Sequence, residues 1–217
     1  MRALAEAPQM LMKFADLQYE YLMSWDYFDK DWAMVKPTIP FKQLPILIVD
    51  DEHQIAQSTS IMRFLQRLAG MEPQDPVVAA KADAILQSAQ ELLRPLNPTV
   101  NFAVGEDFES KKESMLPDLY SRCADLERAL HNGGKKFFMG EPPIACDFTV
   151  YHHLDISRNL DPEFLDQFSR LSEFVRDIER LESVSNYLNS RPELIDVKSA
   201  PKLVINGKPH PTGTNKT

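Results

Sequence analysis

The stretch Pro40-Phe41-Lys42-Gln43-Leu44-Pro45-Ile46-Leu47-Ile48-Val49-Asp50, followed by Gln57-Ser58, holds the residues of this chain best placed to do chemistry. Read physically, it is a proline-locked turn, a short β-branched strand, a tight acidic turn and then a polar helix start. An extended segment with free backbone groups can pair with a peptide, and an open helix N-terminus attracts a carboxylate. A small peptide with a free carboxylate is therefore the expected ligand. Taken singly the residues are ordinary: Ser58 a helix cap, Trp32 an apolar anchor, Lys36 a solvated charge, Pro45 a strand-start proline.

Other candidate groups point to no further chemistry. His152 and His153 adjoin a predicted helix, but neighbours on a helix diverge by about a quarter turn, and no Cys or His complements them at ligand spacing. No metal site is expected. Cys123 and Cys146 lack CxxC spacing and read as small buried helix residues.

Around these residues the chain divides in two. Helical spacing of Met10, Leu11 and Phe14 predicts a helix over 6–15 with Pro8 in its first turn. Residues 18–23 read as a short strand, 24–41 as a loop or irregular helix, 44–49 as a strand, 50–52 as a turn and 53–55 as a return strand. Ile61, Phe64, Leu65 and Leu68 give a helix over 58–68. Gly70, Pro73 and Pro76 mark a linker. Beyond it the pattern is helical: 76–94, then 109–130 on a stripe of Leu116, Leu119, Cys123, Leu126 and Leu130 closed by Gly133-Gly134. Three more helices follow, one from near Cys146, one over 162–181 and a short one before Arg191. The domains are thus 1–70, a linker at 71–75, a helical unit at 76–195 and an irregular tail at 196–217.

Bulk composition narrows the function classes. With 43% hydrophobic and 26% charged residues, the 217-residue chain is an ordinary globular protein. Its formal charge of −8 disfavours nucleic acid or an anionic membrane as partner. Only 7 glycines argue against a glycine-rich phosphate loop. No apolar run approaches membrane-spanning length and no signal-peptide pattern opens the chain, so a cytosolic location is expected.

This layout resembles the cytosolic glutathione transferases, most closely the sigma-like group that includes the haematopoietic-type prostaglandin D synthases. The resemblance covers nearly the whole chain. It is carried by Trp32, by Lys36-Pro37-Thr38-Ile39-Pro40-Phe41-Lys42-Gln43-Leu44-Pro45 and by Ala56-Gln57-Ser58-Thr59-Ser60-Ile61-Met62-Arg63-Phe64-Leu65 in that order. It implies an α+β thioredoxin-like N-terminal domain followed by an all-α C-terminal domain, with glutathione as co-substrate. A cis peptide before Pro45 would turn the Leu44 backbone towards the cysteinyl unit of glutathione. Gln57 and Ser58 would hold the γ-glutamyl end; Trp32, Lys36 and Gln43 would face the glycine end, with Lys36 as counter-charge. Glu91 of a second subunit would meet the glutathione amine. A hydrophobic electrophile would enter between the domains of a homodimer, to be conjugated or, if a lipid peroxide, isomerised.

The chain also departs from the family. Met1 aligns just beyond the family's catalytic tyrosine, so the first strand is missing. Losing an internal strand would cost several kcal/mol, a large share of a domain's stability. The expectation is a fragment or a misplaced start codon, with a shortened protein as the alternative. Tyr19, Tyr21 and Tyr27 do not occupy the family position, and Leu4 stands where an arginine is usual. No residue is assigned a catalytic role. The first helix's dipole, worth at most about 1–2 kcal/mol or about one pKa unit, is left alone to favour a thiolate. In the helical half, Ile144-Ala145-Cys146-Asp147 replaces a Ser/Thr-x-x-Asp cap, so the reciprocal cap is expected not to form. A non-catalytic binding or scaffold protein of the same fold is the second reading.

Overall fold

The computed structural model describes residues 3–191 and, beyond them, two paired strands, Leu203–Ile205 and Lys208–His210. The expected irregular tail lies largely outside the described residues; where it is described, it pairs as an antiparallel hairpin instead.

The N-terminal half opens with α1 (Glu6–Phe14), whose Ala7, Met10, Leu11 and Met12 are buried. The strand expected over 18–23 does not form. Leu17 and Tyr19 are half-buried in an alternating pattern, but a strand needs a neighbour to supply its ladder, and none pairs here among the described residues. Tyr19 instead lies back along α1, with the Lys13 ammonium 5.1 Å from its ring centroid. The aromatic, proline-bearing segment that follows is irregular, as expected: α2 (Ser24–Phe28), α3 (Trp32–Val35) and two 3-10 turns, Lys36–Thr38 and Pro40–Lys42. Val35 and Ile39 anchor it. Then come β1 (Ile46–Val49) and β2 (His53–Ala56), antiparallel with Val49 opposite His53. Their turn sets Asp50 and Asp51 at φ 53° and 57°, a region Asp tolerates better than most residues. α4 (Ser58–Leu68) matches its expected span, burying Ile61, Met62 and Leu65, but Leu68 is 59% exposed and leaves the expected stripe.

Gly70 at φ 67° stops α4, and Asp75 caps α5 (Pro76–Phe102) by accepting from the Val77 and Val78 amides at 2.8 and 3.0 Å. The helix was expected to end at Arg94, before Pro95. It continues through Pro95 and Pro98 because Leu92, Leu93, Leu96 and Val100 are all buried, and packing outweighs the lost backbone bonds. α6 (Gly105–Gly133) is likewise longer than expected at both ends, with Phe108 fully buried. Met115, rather than the half-buried Leu116, joins its apolar stripe. Gly134 ends it at φ 58°.

α7 (Ala145–Leu160) is the axis of the domain, packed on α1, α4, α5 and α8 (Ser169–Glu179). The helix expected over 162–181 is shorter, because 162–167 form turns. α9 (Glu182–Ser190) packs on α1.

At the start of α7, only the carboxylate half of the cap exists. Asp147 accepts from the Ile144 amide at 2.8 Å and the Phe138 amide at 2.9 Å, while Ile144 offers no side-chain acceptor. Burial pushes the Asp147 carboxyl up to about 6, against the lowering effect of those donors. The hydroxyls of Thr149 and Ser157 donate to carbonyls one turn back, satisfying themselves within the buried helix.

His153 carries a testable consequence. Burial, and then the adjacent His152, hold its imidazole well below the usual range, so it is neutral in the folded protein. The unfolded chain takes up that proton near pH 6.5, at about the ordinary value. The stabilisation is therefore present above that pH and lost as pH falls below it. Chemical denaturation from about pH 7.5 to about pH 5.5 should show wild type losing about 1 kcal/mol more stability than His153→Leu. Equal losses would contradict this.

Candidate functional site

The site is built where the proline turn meets the start of α4. Ile39 anchors the turn, Phe41 and Lys42 take left-handed φ of 54° and 56°, and the Leu44–Pro45 peptide is cis. The Leu44 backbone groups bond to no other group among the described residues, and its side chain is exposed. These are the free strand-like groups expected from the sequence. They lie at the entry to β1.

Gln57, at φ 71°, turns the chain into α4, and Ser58 is the helix's first residue. No side chain caps this N-terminus, so its first amides are open to an anion. The Gln57 amide donates to Gln43 Oε1 at 3.4 Å, joining the two ends of the predicted site. Ser58 is buried, and its hydroxyl accepts from Gln90 Nε2 at 3.5 Å. Gln90 was not read from the sequence; only its place beside Glu91 on the same helix could have suggested it.

The remaining candidates are less closely joined. Trp32 and Lys36 are exposed on the preceding segment, and neither side chain makes a hydrogen bond or ion pair among the described residues. Glu91 is exposed and paired with Arg122 of its own chain, which also holds Asp118 at 2.8 Å. Arg63 ties α4 to Asp83 of α5 at 2.7 Å.

The tyrosines gather elsewhere. Tyr19 donates to Gln9 at 3.5 Å, and Tyr187 bonds to Glu6. Burial, then the nearby Glu6 charge, push Tyr19, Tyr21 and Tyr187 upward, so all three hydroxyls stay protonated. Tyr27 is exposed and packs edge-on against Phe28. A cavity of about 280 Å³ lies between α4, α5 and α7, walled by Arg63, Gln66, Asp83 and Cys146, and includes none of the candidate residues. Among the described residues no three His, Cys, Asp or Glu converge on a point, and no helix is long and apolar enough to cross a membrane.

Two family models match the two halves: the glutathione S-transferase N-terminal domain over residues 1–67, and its C-terminal domain over 96–191. Glutathione S-transferase Mu 1 of Macaca fascicularis is 30% identical over 196 residues, 87% of each chain. The chain belongs to the glutathione S-transferase family. Hematopoietic prostaglandin D synthase of Gallus gallus is also 30% identical, over 89% of this transferase-family chain and 94% of its own. The crystal structure of the glutathione S-transferase from Ascaris lumbricoides superposes with a TM-score of 0.78 at 26% identity, covering 89% of this chain and 94% of that one. The fold is therefore the thioredoxin-like plus all-helical pair, and glutathione is the family's co-substrate.

Neither cysteine of this family member is positioned to act. Burial pushes the Cys123 thiol up to about 12 and Cys146 well above its ordinary value. Both should resist iodoacetamide in the native protein and react fully once it is unfolded. Rapid native alkylation, read by mass spectrometry, would contradict this.

Proposed function

We propose that this protein binds glutathione along the Leu44–Pro45 turn and the start of α4. The Leu44 backbone pairs with the cysteinyl unit, and Gln57 and Ser58 hold the γ-glutamyl carboxylate at the helix N-terminus. Trp32, Lys36 and Gln43 face the glycine end, with Lys36 as counter-charge. In a homodimer, Glu91 of the second copy meets the glutathione amine, which requires it to leave Arg122. A hydrophobic electrophile occupies the space between the domains, and the protein works in the cytosol. The observation that carries this reading is the hydrogen bond joining Gln43 to Gln57, which sets the unbonded Leu44 backbone next to an uncapped helix start.

Whether bound glutathione is turned over depends on its thiol. Conjugation or isomerisation needs a thiolate near neutral pH, hence a donor or positive charge to lower an ordinary thiol pKa of about 8.5. Here the Tyr19 hydroxyl already donates to Gln9, at 3.5 Å, and Leu4 packs against the core in place of a cation. These observations favour the second reading, a glutathione-binding protein of the transferase fold with little or no conjugating activity.

Calorimetric titration of glutathione into wild type and Ser58→Ala tests the binding. Losing a hydrogen bond to a charged group costs about 1.5–3 kcal/mol, so Kd should rise about 10-fold or more. An unchanged Kd would remove the carboxylate from Ser58. A chromogenic aryl halide assay then separates the readings: turnover well above the free-glutathione rate supports the enzyme, and a rate at that background supports the binder.

A further inference from the structure

Five charged side chains form an alternating chain where the first helix meets the helical domain. The Arg191 guanidinium donates to Glu6 Oε1 at 2.6 Å and to Asp155 Oδ2 at 2.9 Å. Arg158 donates to the other Asp155 oxygen at 2.8 Å and to Glu179 Oε1 at 2.6 Å. The Arg191, Glu6 and Asp155 side chains are only 10%, 8% and 8% exposed. At that burial each charge depends on its partners, unlike the exposed pairs elsewhere on the surface.

The positions of these groups matter more than their number. Glu6 is the first residue of α1, Asp155 lies in α7, and Arg191 directly follows α9. One guanidinium thus spans residues 185 apart in the chain. Apart from the Tyr187 hydroxyl of α9, which also bonds to Glu6, α1 meets its neighbours through Met10, Leu11 and similar apolar groups, which tolerate small sliding. A planar guanidinium bridging two carboxylates from different helices does not tolerate it. Lysine, a single point donor, cannot reproduce that bridge.

We infer that Arg191 is a positioning residue that fixes the first turn of α1 against α7 through Glu6. The consequence for function rests on the glutathione reading above. In that reading the dipole at the start of α1 faces the bound thiol, so Arg191 governs how closely that dipole approaches it.

Hydrogen exchange measured by mass spectrometry on the full chain tests the inference, with Arg191→Lys and Glu6→Gln as variants. Arg191→Lys should speed exchange over residues 5–12 by roughly tenfold, while α5 and the middle of α6 keep wild-type protection. Glu6→Gln removes the charge but keeps the shape, and should speed the same segment less. It also decides the matter should Arg191→Lys fail to fold. Unchanged exchange in α1, or acceleration spread evenly over both halves, would overturn the inference. In glutathione-saturated protein, the thiol pKa read from thiolate absorbance should rise in Arg191→Lys; an unchanged value with binding intact would overturn the link to the thiol. If wild type binds no glutathione, the functional reading falls and the exchange pattern alone decides the role of Arg191.

Discussion

α7 is surrounded almost completely by protein, and a helix in that position must draw every polar partner from its neighbours. At its start, Asp147 takes the amides of Phe138 and Ile144, and the Ala145 amide donates across the domain boundary to Gln66 of α4. Further along, Asp155 takes Arg158 and Arg191, and Arg191 reaches on to Glu6 of α1. α1 and α4 of the N-terminal half are therefore pinned to α7 by buried polar contacts as well as by apolar packing. A two-stranded hairpin is at best marginal by itself. Here β1 and β2 rest on α4, and their position follows from where α4 is held.

This arrangement explains why the candidate site is open yet ordered. Its peptide-facing groups are backbone atoms of a turn anchored by Ile39 and side chains at a helix start, not long charged residues searching for a partner. The charged candidates, Lys36 and Glu91, stand further out, and Glu91 already has Arg122. In the proposed binding mode, recognition relies on helix dipole and directed hydrogen bonds rather than net charge, which suits a chain of formal charge −8 meeting an anionic peptide.

Local signals in the sequence located the elements that end or begin on a specific residue. Ser58 starting α4, Pro76 starting α5 and Gly134 ending α6 all follow from capping, φ restriction or turn chemistry readable within a few residues, whereas the cis bond before Pro45 was expected through the family resemblance. What failed depends on the rest of the molecule. The 18–23 segment has strand-like alternation but no ladder partner, and Pro95 looks like a stop until the burial of Leu96 and Val100 is known. The missing serine before Asp147 suggested a weakened cap, yet that carboxylate gains the distant Phe138 amide instead. The Glu6–Arg191–Asp155 bridge spans almost the whole chain, and no local pattern announces it. The Leu44 turn and the start of α4 could be read as candidates because they lie close together in the sequence; Gln90 could not, because only folding brings it to Ser58.

The central claim is that the turn and the α4 start act together as one peptide site. Amide NMR resonances followed during a glutathione titration test it most directly. The account predicts saturable shifts concentrated at Leu44, Gln57, Ser58 and their immediate neighbours. Shifts confined to other surfaces, or none at all in the folded protein, would contradict it.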